Sequence, residues 1–357
     1  DINNIIIEGD NYHSLSILNY THNNSVDIIY IDPPYNRGSD LIYNDKLVEK
    51  TDSYKHSKWS SYMHKRLVLC KELLKDDGVI FISIDDHEFA QLKIICDEVF
   101  NHNSRGIFVW QKKYGGGNDS GSIANEHEYI LSYSKNKNTD EWLEPHDEKY
   151  LKRYKEEDKI GRFFWDTLER PGLKNPINVK IHFESKTYNL KTFRSQKRIH
   201  EDLKKGEIRV VKLNNNKISF QFKQRLREGK LPRSILRDSK NEGDQDILLN
   251  KIGSNSSAKN ELKEIFGEDV FSNPKPTSLI KYLISLNNNK NAIVLDFFAG
   301  SGTTGHAVLN LNEFDGGKRS FILCTNNENN ICKDITYPRI KKIINGYKYK
   351  EKKYKPL

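Results

Sequence analysis

VDIIYIDPPYN, residues 26–36, is the stretch on which the fold turns. Five of the six residues from Val26 to Ile31 are apolar or aromatic, with Asp27 alone breaking the run. That composition fits a strand covered on both faces of a parallel sheet. Pro33 and Pro34 then remove two ladder donors and fix two successive φ angles, so the strand stops at Asp32 in a stiff turn. Ligands of open α/β sheets bind at that carboxyl edge. The Asp32 carboxylate, the Asp32 and Pro33 carbonyls and the Tyr35 ring offer an acid, acceptors and a flat surface. Such a set suits a planar base bearing an exocyclic amino group. A strand that merely ends in a Pro-Pro turn with a capping acid would use the same four residues.

Upstream, Asn4 to Glu8 (NIIIE) reads as a short buried strand, and Tyr12 to Tyr20 has helical spacing at Leu15 and Leu18. Strand, acid, helix, strand and acid within about thirty residues make a βαβ unit, which places Asp10 and Asp32 on one sheet edge. Downstream, Asn36 to Ser57 lacks a period and is expected to form a mobile loop or lid beside the site. A helix from Trp59 to Lys75, a buried strand from Gly78 to Ile84, and a helix capped by Asp85-Asp86 and running to Glu98 follow. Gly106 to Gln111 and Glu128 to Tyr133 are expected strands. The tract Gly115-Gly116-Gly117 between them reads as a flexible connection, because no GxxxxGK[ST] is present.

Towards the other end, Ser272-Asn273-Pro274-Lys275-Pro276 opens a helix from Thr277 to Leu286. The strand Ala292 to Leu295 then leads into DFFAGSGTT, residues 296–304, and a further helix. A small-residue turn between strand and helix lets a ligand approach the backbone and the helix N-terminus. Ser320 to Cys324 is another strand, and Ile331 to Ile344 a helix bent near Pro338. The closing residues, with Lys348, Lys350, Lys352, Lys353 and Lys355, are expected to form a disordered or phosphate-touching tail.

A chain of 357 residues with 36% apolar content can bury a proper core in two domains or one enlarged one. No run of eighteen apolar residues occurs, and the opening DINNIIIEGD lacks a charged segment followed by a long apolar one. Neither a membrane span nor a secretory leader is therefore expected. The first residue is not Met, so the natural ends are expected to lie beyond this sequence. Cys70, Cys96, Cys324 and Cys332 show no metal-ligand spacing, which points to buried thiols, no metal and a reducing cytoplasm. The net charge of +9 is localised: residues 141–265 carry 29 Lys and Arg against 20 Asp and Glu, leaving 29 against 29 elsewhere. Aromatic and basic residues interleave there, as in Arg162-Phe163-Phe164-Trp165 and Phe220 to Arg225. Val210 to Leu213 and Lys217 to Phe222 suggest a hairpin around Asn214-Asn215-Asn216. Such a segment reads as a polyanion-binding insert, although a solvated charged surface has the same composition. No zinc-finger spacing, helix-turn-helix signature or internal repeat stands out.

With both ends in hand, the chain resembles the DNA amino-methyltransferases that use S-adenosylmethionine, in the β-ordered group of restriction–modification systems. DPPY at Asp32, Pro33, Pro34 and Tyr35 is similar to the catalytic tetrapeptide, and DFFAGSGTT at Asp296 to Thr304 to the cofactor loop. NPKP before it and HEYILSYSK at 127–135 add to the likeness, which covers about residues 4–135 and 272–345. The resemblance implies a doubly wound, mostly parallel, seven-stranded Rossmann-like α/β sheet in circularly permuted order. It divides the chain into a catalytic half at 1–140, a target-recognition insert at 141–265, and a cofactor-binding half at 266–357 with the basic tail. It implies that Asp296 and the backbone of Phe298, Ala299, Gly300, Ser301, Gly302 and Thr303 hold the methionyl part of the cofactor. Asp10 then lies near its adenine or methionine end, and Lys275 with Pro276 begins the helix closing the pocket. Where the family often carries an acid directly after the second strand, this chain has Thr325-Asn326-Asn327 and only then Glu328, which is the candidate for the ribose hydroxyls.

The implied reaction is methylation of the N6 of an adenine flipped out of duplex DNA, with Asp32 and the Pro33 carbonyl gripping the amino group and Tyr35 stacking on the base. Cytosine-N4 is the near alternative, since the same acceptors fit its amino group. An RNA methyltransferase, or an NAD-dependent oxidoreductase that leaves Asp32 to Tyr35 unused, are the more distant ones. The resemblance implies double-stranded DNA as partner and admits a homodimer and a restriction endonuclease subunit.

Overall fold

The computed structural model describes residues 4–37, 53–115, 123–137, 141–144, 146, 148–169, 172, 175–213, 217–237 and 252–357. Most of the expected loop at 36–57, most of the glycine tract and the turn at 214–216 lie outside the described residues. In chain order the elements begin with β1 (Ile5–Glu8), α1 (Asn11–Thr21), β2 (Val26–Ile31), α2 (Lys55–Leu73), β3 (Leu74–Ile84), α3 (Phe89–Val99), β4 (Ser104–Gln111) and β5 (His127–Ser134). There follow α4 (Glu148–Leu151), β6 (Glu156–Asp158), β7 (Gly161–Thr167), β8 (Ile177–Phe183), β9 (Lys186–Thr192), α5 (Gln196–Lys204), β10 (Ile208–Lys212) and β11 (Ile218–Arg225). The last are β12 (Ile235–Leu236), α6 (Asn255–Phe266), α7 (Thr277–Ser285), β13 (Ile293–Asp296), α8 (Thr303–Asp315), β14 (Ser320–Thr325), α9 (Tyr337–Asn345), β15 (Tyr347–Tyr349) and β16 (Lys352–Tyr354). Two compact units result, one built from residues 1–144 and 231–357, the other from 145–230.

The first unit is organised around an eight-stranded sheet of order β1-β14-β13-β2-β3-β5-β4-β12. The run from β1 to β3 is parallel, β5 is antiparallel to both β3 and β4, and β12 pairs parallel with β4. The sheet thus has one strand more than expected, the two-residue edge β12 contributed by the returning chain. From β13 the chain crosses by α8 to β14 on one side, and from β2 by α2 to β3 on the other. The boundary between β13 and β2 is therefore the switch point at which such sheets open a crevice beyond their carboxyl ends. Val294 lies opposite Ile28 and Leu295 opposite Ile29, so Asp296 and Asp32 leave the sheet side by side.

Every residue of β2 is buried. Ile29 and Ile31 pack with Leu15 of α1, Met63 of α2 and Leu92 of α3, whereas Ile28 and Tyr30 pack with Leu283 of α7 and Val308 of α8. Helices thus cover both faces, as a doubly wound sheet requires. Asp27 survives inside the strand because its carboxylate is met by Lys75 Nζ at 2.8 Å, Asn289 Nδ2 at 2.9 Å and the Ile293 amide at 2.8 Å. Asp85 does not cap α3 as expected: it accepts the His87 amide in a turn, and Glu88 occupies the cap position. The bend near Pro338 is a π-helical turn, Ile331–Thr336, running into α9. Residues 347–354, within the tail expected to be disordered or to touch phosphate, are ordered as the β15–β16 hairpin, with Tyr347 stacked on Tyr354 at 4.3 Å. All four cysteines are buried and unpaired. Among the described residues no helix is long and apolar enough to cross a membrane.

The second unit lies inside the segment read as 141–265; the remainder of that segment, including α6, belongs to the first unit. It contains a four-stranded sheet of order β10-β11-β7-β6 and the separate β8–β9 ribbon. They share a core of Leu168, Val179, Ile181, Leu190, Ile199, Ile208, Phe220 and Phe222. The unit carries 23 Lys and Arg against 12 Asp and Glu, a balance of +11 that exceeds the net charge of the whole chain.

Candidate active site

Asp32 leaves β2 with its carboxylate a quarter exposed and both oxygens engaged. Lys275 Nζ donates to Oδ1 and Oδ2 at 2.8 Å each, and the Tyr35 hydroxyl donates to Oδ1 at 2.8 Å. A second acid, Glu128 on β5, shares these donors: its Oε2 lies 3.1 Å from the Tyr35 hydroxyl and 3.4 Å from Lys275 Nζ. Its Oε1 faces Lys112 at 3.3 Å and Arg37 at 3.6 Å, and Arg37 also clasps Asp85 at 2.6 Å. Asp32, Glu128 and Asp85 thus meet Lys275, Lys112 and Arg37, three charges of each sign. Burial pushes the Asp32 carboxyl up while the Lys275 ammonium pulls it back, leaving it above its ordinary value. Burial draws Lys275 down, but the Asp32 and Glu128 carboxylates more than restore it and hold it protonated. The buried Tyr35 phenol is pushed well above its usual range and stays a donor.

The turn itself is rigid. Pro33 is buried, the Pro34 carbonyl accepts from Trp59 Nε1 at 2.7 Å, and Tyr35 is only 7% exposed. The Tyr35 ring has Lys275 Nζ 5.0 Å and the Arg37 guanidinium 5.1 Å from its centroid. Lys275 also accompanies the Tyr35 hydroxyl at 3.0 Å, so this cation stands at the polar edge of the ring.

Beside this turn, β13 delivers the glycine-rich loop. Asp296 is buried and turned onto its own loop, accepting from the Phe298 amide at 3.0 Å and the Thr304 hydroxyl at 2.5 Å. Phe298, Ala299, Ser301 and Thr303 are buried around it. Gly300 (φ 47°) and Gly302 (φ 76°) supply left-handed turns. A Cβ on Gly302 would stand 3.3 Å from Thr336 Cγ2, and the Thr336 hydroxyl donates to the Gly300 carbonyl at 2.5 Å. Arg339, fully buried, spans the loop and α7. Its Nη1 reaches Thr303 Oγ1 at 2.8 Å and Ser301 Oγ at 3.2 Å; its Nη2 reaches Thr277 Oγ1 at 3.1 Å, His306 Nδ1 at 3.2 Å and Glu261 at 3.3 Å.

Asp10 caps α1 by accepting the Tyr12 amide at 2.8 Å and meets Arg66 at 3.4 Å. Arg66 also donates to Asn11 Oδ1 at 2.5 Å, and Asn11 Nδ2 donates to the Phe297 carbonyl at 3.1 Å, which ties the start of α1 to the loop. Pro276 occupies the cap position of α7. Glu328 stands past β14 with a buried Oε2 that makes no hydrogen bond among the described residues.

Of the residues singled out in the sequence, the structure joins Asp32, Tyr35 and Lys275 directly and places the loop at 296–303 on the neighbouring strand. Asp10 is linked through Asn11, and Glu328 stands at the end of β14, one strand beyond β13. Glu128, Arg37, Lys112, Arg66 and Arg339 escaped the sequence reading. Glu128 is the second residue of β5, beside His127 and Glu126, where an acid is ordinary in sequence.

Burial pushes the Asp296 carboxyl up to about 7, against the pull of Thr304 and the Phe298 amide. An unfolded Asp titrates near about 3.9. Between these values the folded chain binds a proton that the unfolded chain releases, so this group's stabilising contribution is complete at low pH and is lost as pH rises through about 7. Asp296→Asn is expected to flatten that part of the stability profile, read as a smaller change in melting temperature between about pH 5.5 and about pH 8 than in the parent chain.

Residues 26–336 match the N6/N4 methylase family model, described as DNA methylase. The chain is 37% identical over 373 residues to the type III restriction-modification enzyme StyLTI Mod subunit of Salmonella typhimurium, covering 95% of this chain and 55% of that protein. It is 34% identical to the EcoPI Mod subunit of Escherichia phage P1, covering 91% of this chain and 58% of that one. It is also 34% identical to the type II methyltransferase M.KpnI of Klebsiella pneumoniae, covering 89% and 79%. The chain thus spans little more than half the length of the two Mod subunits. Among solved structures, the cytosine-N4-specific PvuII DNA methyltransferase aligns at 13% identity and a TM-score of 0.46, covering 91% of this chain and 83% of that one.

Proposed function

The chain belongs to the N6/N4 DNA methylase family, and from that premise we propose that it transfers a methyl group from S-adenosylmethionine to the N6 of a flipped-out adenine in duplex DNA. The observation that carries the reading is the pairing of β2 with β13 at the switch point, which sets the Asp32 turn beside the glycine-rich loop. Residues 145–230, with their balance of +11, form the DNA-recognition unit. The Mod-subunit relatives support a place in a restriction–modification system; a cytoplasmic location and an endonuclease subunit as partner belong to the same proposal.

The residues present fit the cofactor. The backbone of residues 298–302 would lie against its methionyl part, and the unsatisfied Glu328 Oε2 is an acceptor of the kind a ribose hydroxyl needs. Asp10 would lie near it at the neighbouring strand end. S-adenosylmethionine supplies, when bound, a methyl already activated on a sulfonium. The protein's task is then to present the amino nitrogen, whose lone pair is delocalised into the ring. Asp32 and the Pro33 carbonyl accept the two amino hydrogens and stabilise the positive charge that grows on the nitrogen. Contacts from the basic unit to phosphates offset the few kcal/mol of unstacking.

The test is transfer of tritiated methyl into unmodified DNA, with the product nucleoside identified by mass spectrometry. N6-methyladenine is expected; N4-methylcytosine would overturn the choice of base, and transfer confined to RNA the choice of substrate. Gly302→Val combines a positive φ with a contact on Thr336. It is expected to weaken S-adenosylmethionine at least about tenfold by calorimetry and to lower stability by about 1–2 kcal/mol.

A further inference from the structure

Resting on the DNA reading of residues 145–230, we propose that the outer face of the β8–β9 ribbon is the surface that reads bases, entering the major groove of the duplex. The ribbon is antiparallel, and its outer row consists of three cross-strand pairs: Asn178 with Lys191, Lys180 with Asn189, and His182 with Thr187. All six residues are exposed, while Val179, Ile181 and Leu190 of the alternate row are buried in the core of the unit. The period of two along each strand therefore separates an anchoring face from a presenting one. Glu184 and Ser185 join the strands with φ of 46° and 61°, the paired left-handed conformation whose twist suits a two-residue hairpin turn.

The chemistry of the outer row is that of base edges. A side-chain amide can bond the adenine N6 and N7 together, a lysine can reach guanine O6 and N7 or a phosphate, and the major groove admits a two-stranded ribbon. Amide and ammonium alternate across the two strands, and no carboxylate belongs to this row. Glu184, at the tip, faces Lys212 at 3.5 Å, and Glu169 accepts the backbone amide of Lys191 at 3.3 Å. The neighbouring sheet differs. On β11, Lys223 and Arg225 are held at 2.7 Å by Asp158, and Arg225 at 2.5 Å by Glu207. Those two cations are neutralised within the unit, whereas the outer row of the ribbon adds lysines and amides and contains no acid.

The experiment uses the full chain, expressed in a host lacking DNA methylation, with methylated positions mapped genome-wide and duplex binding measured across salt concentration. Asn178→Ala with Asn189→Ala is expected to relax the methylated motif at one or two positions, with about a five- to hundredfold loss of discrimination there. Lys180→Gln with Lys191→Gln is expected to weaken all duplexes and to reduce the slope of log affinity against log salt by up to about two. All four positions are exposed, so melting temperatures should match the parent. An unchanged motif together with an unchanged salt slope in these variants would overturn the proposal. The binding arm needs no methyl transfer: a parent chain that methylates nothing, yet loses salt slope in the lysine variant, would retain the ribbon as a DNA surface and sink only the enzymatic reading.

Discussion

Asp32→Ala is expected to lower methyl transfer into DNA by about 10³-fold or more while leaving S-adenosylmethionine affinity within about threefold. The two effects separate because Asp32 belongs to the β2 turn and the proposed cofactor contacts belong to the loop after β13 and to Glu328. The acid supplies both a hydrogen-bond acceptor and a negative charge where positive charge grows on the amino nitrogen, and neither survives truncation. Lys275 would not be stranded, since Glu128 and the Tyr35 hydroxyl remain within 3.4 Å and 3.0 Å of its ammonium. Asp32→Asn keeps the shape and removes the charge, and a comparable loss is expected. Single-turnover transfer and calorimetry on both variants decide the matter: wild-type transfer in either one ends the catalytic assignment of this residue.

Arg339→Leu carries the largest expected cost to stability, about 3–5 kcal/mol in the first unit, together with loss of cofactor affinity. The guanidinium is fully buried and satisfies Ser301, Thr303, Thr277 and Glu261 at once, so its removal leaves several buried polar atoms without a partner. His306 cannot substitute for the charge. Burial, aided by Arg339, pushes its imidazole well below the usual range, and it remains neutral. Arg339→Lys is expected to recover little, because one ammonium cannot span contacts that a planar fork reaches in two directions. Denaturant unfolding followed by tryptophan fluorescence reports mainly on this unit, which holds Trp59, Trp110 and Trp142 of the four tryptophans. A loss below about 1 kcal/mol would show that the loop holds itself.

What the sequence disclosed and what it withheld divide along physical lines. A strand buried on both faces must be apolar along its whole length, so β2, β3, β13 and β14 could be located, and an acid followed by two prolines marks where β2 ends. Small residues after β13 announced a tight loop for the same local reason. The charge network could not be read in this way. Lys275 and Asp32 are 243 positions apart, and a lysine or arginine defaults to the surface unless something buried needs it. Asp27, inside an apolar run, announces a need for partners, whereas Glu128 stands at the polar start of β5 beside Glu126 and His127 and announces none. At the C-terminus the charge run concealed an alternation, Tyr347-Lys348-Tyr349 and Lys352-Lys353-Tyr354, that turns aromatic rings together in a hairpin. The ribbon at 177–192 turns Val179, Ile181, Leu190 and the rings of Phe183 and Tyr188 inward, but its turn is Glu184-Ser185, without the Asn or Gly that marks a two-residue hairpin in a sequence.

The central sheet is assembled from both ends of the chain, and this has a consequence for biosynthesis. Ile28 waits for Val294, its partner across β2 and β13, until 266 further residues have been made. At about 5–20 residues per second that is an interval of roughly 13 to 53 seconds. During this time one edge of β2 lacks its neighbour, and β1 lacks β14. Residues 145–230 emerge complete within the interval, so the nascent polypeptide would carry a finished basic lobe tethered to an open, adhesive half-sheet, which is where chaperone capture should concentrate.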